Sequence, residues 1–280
     1  MPPFDPPLVS AEIEAAFPGR YQSVHVLKTG GQGAVFRVEA GSHQEQPAGT
    51  PVALKIYYAD QLEERTEREI NALKQIQIES LVRFVGTGRI AIRSLPCIWL
   101  ETTFIEGEPL AAVITRGPLS CSSAATMAHD VALALEQLWA HRIVHRDVKP
   151  DNIMVRPNGH AVLIDLGVAR HIELDSLTTY GKTWGTEGYL SPEQARIVRS
   201  LTCKSDVFAL GVVVQESLLG RHPTARHQQQ LVAGGPATAS LQAGLPTEFI
   251  ALVDRMVHRD PVRRPTPSEV VVSMRSFLQL

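Results

Sequence analysis

The sequence predicts an α+β fold of two lobes: an N-terminal antiparallel sheet carrying one helix, then a larger, mainly helical C-terminal lobe. Two observations carry this expectation. From Tyr21 to about Leu54, short apolar and β-branched runs are broken by Gly, Gln and Pro, as strands and tight turns are. After Gly107 the runs lengthen to helical spacing, interrupted by one short hairpin turned at Asn158-Gly159. The composition permits such a fold, since 44% hydrophobic and 20% charged residues in 280 are ordinary for a folded chain.

Taken in order, residues 1–20 start Pro-rich and read as an N-terminal extension with a short turn of helix after Ser10, lying on or trailing from a domain at 21–280. Strands are expected at His25–Leu27, Ala34–Val38 and Val52–Leu54, with GSHQEQPAGTP as a loop. A helix over roughly Gln61–Gln77 puts Leu62, Thr66, Leu73 and Ile76 on one face, and Glu69 with them. A carboxylate on an apolar face is costly unless it meets a cation. Strands follow around Leu81–Val85, Gly88–Ile92 and Ile98–Thr103. The small lobe thus spans about 21–103, the joint about 103–107 and the large lobe about 108–280. Within the large lobe, Asp206–Leu219 is apolar almost all round and stops at Gly220, which predicts a buried central helix. Thr266-Pro267-Ser268-Glu269 is a capping box with Pro at the first helical position, announcing a last helix through Val270–Leu278.

Several classes are disfavoured. A net charge of −2 and a pI near 6.6 give no electrostatic footprint for nucleic acid. No apolar run approaches the roughly 20 residues a membrane span needs, and no basic segment precedes an apolar one near the N-terminus as in a signal peptide. Cys97, Cys121 and Cys203 lie far apart, in no metal-ligand spacing, which predicts reduced thiols in a cytoplasmic protein.

The chemistry concentrates in four segments. Leu27-Lys28-Thr29-Gly30-Gly31-Gln32-Gly33-Ala34-Val35 joins two strands, and glycines there let backbone N–H groups approach phosphates; alone, such hairpins are common and most bind nothing. Lys55 ends the apolar strand Val52-Ala53-Leu54, where an ammonium could grip phosphates or merely snorkel to the surface. Glu69 is its natural partner. His145-Arg146-Asp147-Val148-Lys149-Pro150-Asp151-Asn152 supplies what phosphoryl transfer needs: a carboxylate for the attacking hydroxyl (Asp147), a cation for the moving group (Lys149) and an amide oxygen for a metal (Asn152). Asp165-Leu166-Gly167 at a strand end adds a second ligand for a hard cation that keeps its waters.

From Tyr21 to the C-terminus the chain resembles the eukaryotic-like Ser/Thr protein kinases, with marker segments in that family's order. Besides the segments above, Gly185-Thr186-Glu187-Gly188-Tyr189-Leu190-Ser191-Pro192-Glu193 is similar to the end of an activation segment. Ser205-Asp206-Val207-Phe208 is similar to the start of the central helix, and Asp260–Pro265 to the loop whose Arg, here Arg264, pairs with Glu193. The run Tyr-Leu-Ser-Pro-Glu-Gln-Ala-Arg looks most like bacterial members. The resemblance implies a two-lobed kinase fold and transfer of phosphate from ATP to Ser or Thr of protein substrates, with Mg²⁺ or Mn²⁺ as metal. It implies that Thr186 bonds Asp147 and Lys149, and that Lys149 marks the Ser/Thr form of the loop. It implies that Arg146 meets a phosphate on the activation segment, for which Thr178 and Thr179 are the nearest candidates. Thr103, Phe104 and Ile105 align with the adenine-binding hinge after a gatekeeper at Thr102, and Leu27, Val35 and Ala53 with the residues that sandwich the base. Glu101 stands where an apolar residue is usual.

The sequence also departs from the family. Lys28 replaces the first loop glycine, leaving Gly30 and Gly33 as the second and third, and Arg221–Gly244 is weakly patterned where relatives place a substrate-docking helix. A catalytically silent kinase scaffold would lack one of Lys55, Asp147, Asn152 or Asp165. A small-molecule phosphotransferase would lack the Gly-Thr to Ser-Pro-Glu segment and its Arg partner. A dinucleotide-binding fold would have its glycine loop before a helix rather than a strand.

Overall fold

The computed structural model describes residues 6–30, 33–41, 47–58, 70–166, 170–171, 185–198, 201–241 and 244–279. They form two compact units, residues 1–77 with 82–104, and residues 78–81 with 105–280.

In the first unit, helix α1 (Ser10–Ala16) leads into strands β1 (Tyr21–Gly30), β2 (Gly33–Ala40) and β3 (Pro51–Tyr58). Residues 70–75 are helical (α2), and β4 (Phe84–Ile92) and β5 (Leu95–Thr103) complete an antiparallel sheet in the order β1-β2-β3-β5-β4. Alternation in β2 buries Ala34, Phe36 and Val38 on one face. Register carries that face across the sheet: Phe36 lies opposite Leu54, Leu54 opposite Glu101, and Ile56 opposite Trp99. Val35, Ala53, Lys55 and Thr102 fall on the other face.

Seven residues are too few for a helix to persist alone, so α1 is held by what it touches. Leu8, Ile13 and Phe17 are buried in one apolar cluster with Phe36, Val38 and Leu54. Arg93 in the β4–β5 turn donates to both carboxylate oxygens of Glu12, at 2.6 and 2.9 Å, and to the Pro6 carbonyl at 2.7 Å.

The expected strands at Leu81–Val85 and Gly88–Ile92 require correction. They are one strand, β4, with a bulge between Phe84 and Gly86, while Leu81 makes only an isolated parallel bridge to Leu163 in the second unit. Gly86 and Gly88 are steric necessities of that strand. A Cβ on Gly88 would lie 2.8 Å from the Trp99 ring, and one on Gly86 would lie 2.7 Å from Glu101 Oε2.

The second unit opens with β6 (Glu108–Pro109), α3 (Leu110–Thr115), α4 (Cys121–Ala140) and β7 (Ile143–Val144). After a 3₁₀ turn at Pro150–Asn152 come β8 (Ile153–Val155), β9 (Ala161–Leu163) and β10 (Arg170–His171). β8 and β9 are the expected hairpin, paired with β6, and β10 pairs with β7. Then follow α5 (Pro192–Ala195), α6 (Cys203–Leu219), α7 (Gln228–Val232), α8 (Thr238–Leu241), α9 (Thr247–Met256) and α10 (Pro267–Leu278). Helix α6 is buried on every side, as its all-round apolarity requires, and packs against α4 and α9. It ends with Gly220 in the left-handed region at φ 68°. The Thr266–Glu269 capping box starts α10.

Candidate active site

The site of the second unit is built on the loop between β7 and β8. Two side-chain oxygens from helix α6 fix that loop: Asp206 accepts from the backbone N–H of His145 at 2.8 Å and of Arg146 at 2.7 Å. Burial pushes the Asp206 carboxyl up to about 7, against the pull of those two donors and of the Arg146 cation. Burial likewise depresses His145 below the usual imidazole range, and its Nδ1 accepts from the Asp147 N–H at 3.2 Å. Arg146 and Asp165 both hold positive φ, 70° and 71°. Such backbone costs about 1–3 kcal/mol per residue and persists only where the surroundings over-determine it.

Within this frame four side chains close on one another. Thr186 Oγ1 donates to Asp147 Oδ1 at 2.6 Å and accepts from Lys149 Nζ at 2.5 Å, and Lys149 also lies 2.8 Å from Asp147 Oδ2. Asn152 donates its amide N–H groups to the Asp147 carbonyl at 2.9 Å and to Oδ2 at 3.1 Å. The amide oxygen of Asn152 is therefore the end left to accept a cation. Thr186 reaches this position because Gly185 precedes it: with φ of 121° and a Cβ position only 2.7 Å from the Arg146 carbonyl, no other residue fits.

Glu193 and Arg264 form a bidentate pair, Nη1–Oε1 2.7 Å and Nη2–Oε2 2.8 Å. Arg264 is only 2% exposed, and its remaining donors reach the carbonyls of His258, Lys204 and Arg259, with Phe208 under the guanidinium at 4.8 Å. Burial alone would raise Glu193, but Arg264 and the Ser205 hydroxyl at 2.7 Å outweigh it and hold the carboxyl below its usual range.

In the first unit, Val35 and Ala53 are half-buried on the sheet face that also carries Lys55 and Thr102. Val35 lies opposite Lys55 in register, and the ammonium stands 4.6 Å from the Tyr57 ring centroid. Leu27 is exposed at an irregularity of β1, and Gly30 pairs with Gly33 at the hairpin. Thr103 ends β5, and the Phe104 ring packs under the Arg37 guanidinium at 5.4 Å. Ile105 is buried in the second unit. Glu69, Thr178 and Thr179 lie outside the described residues.

Two groups of residues escaped the sequence reading. A cavity of about 280 Å³ in the second unit is lined by Asp151, Tyr189, Glu216, His222 and Arg226 among others. Tyr189 donates to Glu216 Oε2 at 2.6 Å, and the signal for it was one carboxylate inside an apolar helix. The second surrounds Glu101, which Arg20 and Tyr21 bond at 2.6 to 3.2 Å. Glu101 itself was that signal.

Residues 21–274 match the protein kinase domain family. The chain is 31% identical over 266 residues to the serine/threonine-protein kinase pkn2 of Myxococcus xanthus, covering 88% of this chain and 31% of that protein. It is 30% identical over 231 residues to the serine/threonine-protein kinase PknA of Mycobacterium tuberculosis, covering 78% of this chain and 51% of that one. It is 32% identical over 272 residues to the probable serine/threonine-protein kinase PkwA of Thermomonospora curvata, covering 94% and 35%. The chain thus spans about a third to a half of the length of these curated relatives.

Proposed function

The chain belongs to the protein kinase domain family, and we propose on that premise that it moves the γ-phosphoryl group of ATP onto Ser or Thr side chains of proteins. The observation that carries the reading is the closed set of Asp147, Lys149, Thr186 and Asn152.

Asp147 orients the acceptor hydroxyl and takes its proton. Lys149, held beside it by Thr186, sets positive charge where the phosphoryl group travels. Lys55, with Glu69 as partner, and the loop glycines Gly30 and Gly33 place the phosphates, while Leu27, Val35, Ala53 and the backbone of Thr103–Ile105 take the adenine. Asn152 and Asp165 hold a divalent cation, Mg²⁺ or Mn²⁺. The donor set suits such an ion: one carboxylate and one amide oxygen, both hard, with no cluster of three His, Cys, Asp or Glu among the described residues. When bound, the metal supplies charge against the phosphate oxygens. Arg146 meets a phosphate added to Thr178 or Thr179. Three unpaired cysteines fit a reducing cytoplasm, and among the described residues no helix is long and apolar enough to cross a membrane.

The test is transfer of labelled γ-phosphate from Mg-ATP by wild type and Asp147→Asn side by side, followed by mapping of the labelled sites. Label on Ser or Thr with wild type and none with the variant supports the reading. Binding of Mg-ATP without any transfer would point instead to a silent kinase awaiting a partner, or to a kinase-fold scaffold.

A further inference from the structure

Glu101 is a buried carboxylate, 2% exposed, in the strand β5 that runs two residues later into Thr103. A charge so placed is tolerated only when paired and hydrogen-bonded. Arg20 and Tyr21 are among its partners. Arg20 Nη2 reaches Oε2 at 2.9 Å, Arg20 Nε reaches Oε1 at 3.2 Å, and the Tyr21 hydroxyl donates to Oε1 at 2.6 Å. The guanidinium is also stacked on Trp99 at 4.5 Å, and Phe17 of the α1 segment meets the edge of the same ring at 5.9 Å. The bulge of β4 faces this carboxylate, and Gly86 leaves room for it. Arg20 thus ties the end of the α1 segment to the last turn of register in β5.

We propose that Arg20 is a positioning residue for nucleotide binding: by neutralising Glu101 it holds the end of β5, and so the Thr103–Phe104 backbone, in place. The inference rests on the reading that this backbone takes the adenine. Without Arg20 the buried carboxylate keeps the Tyr21 hydroxyl but loses the guanidinium charge and its two donors, and the strand must shift or open to water to relieve the uncompensated charge. That shift falls on Thr102 and Thr103, which pair with Ala53 and Val52. Arg93 is the contrasting case: it anchors α1 through Glu12 and the Pro6 carbonyl.

The experiment measures Mg-ATP affinity by titration calorimetry on the full chain, with thermal stability and steady-state KM and kcat beside it. Arg20→Ala is expected to weaken Mg-ATP about 5–10-fold and to raise KM alike, with kcat within about twofold. Arg20→Lys, one donor head for two oxygens, is expected to weaken it about 2–5-fold, which keeps the inference testable if Arg20→Ala does not fold. The double variant Arg20→Met/Glu101→Leu removes both charges and should return affinity to within about twofold of wild type. Arg93→Ala should lower stability and leave affinity unchanged. Wild-type affinity in folded Arg20→Ala or Arg20→Lys would overturn the inference alone, as would a double variant as weak as the single one. A wild type that binds no Mg-ATP would overturn the nucleotide reading itself, and this inference with it.

Discussion

Asp147 carries more of the site's geometry than any neighbouring side chain, since Thr186, Lys149 and Asn152 all bond it. Replacing it by Asn keeps the shape but removes the charge and, on the proposed function, the proton acceptor. Turnover should fall by about 10²–10⁴-fold while Mg-ATP affinity stays near wild type, measured by single-turnover transfer and by calorimetry. Arg264 is the structural counterpart. Its truncation to Ala would strand Glu193 beside a buried void, and such broken buried pairs cost about 3–5 kcal/mol, readable as a lower denaturation midpoint in urea. Both partners of that pair stood out in the sequence only through the family's order of segments. Nothing in the residue types near Glu193 points 71 positions ahead to Arg264.

Helix α6 shows how far local pattern reaches at the scale of an element. Its apolarity on every side was legible as burial, and Gly220 as its stop. What it packs on was not legible. Gly211 faces Met256 and Val257, and a Cβ there would lie 2.8 Å from Val257 Cγ1 and 2.9 Å from Met256 Cβ. Gly211→Ala is expected to lose about 1–3 kcal/mol by overpacking despite its better helix propensity, measured by chemical denaturation. The pair β4–β5 failed in the opposite way. The expected gap fell between Val85 and Gly88, whereas Gly86 and Gly88 lie inside one strand and yield space to Glu101 and Trp99 on the neighbouring strand.

Over the whole molecule, carboxylates held below their ordinary range tie stability to pH. Burial works against Glu193, yet Arg264 leaves its folded pKa below the usual 4.5. A depressed acid gives stability that is fully present above the unfolded value and is lost as pH falls through the folded one. The stability gap between wild type and Glu193→Gln should therefore narrow as pH drops below about 4.5, followed by urea melts across that range. Asp206 acts in the reverse direction: with its folded pKa raised to about 7, it favours the folded state at low pH and loses that advantage as pH rises from its unfolded value towards 7.

The α+β order, the central and last helices, and the eight-residue segment His145–Asn152 are legible without coordinates, because each is written in neighbouring positions whose spacing or capping acts locally. Tertiary structure alone decided that α1 is part of the first unit's core, that β4 is one bulged strand, and that Glu101 is paired by Arg20, 81 positions away. The physical reason is desolvation. A buried carboxylate must find its cation somewhere in the fold, but the cost falls on the pair, and periodicity within one strand records only which face is buried.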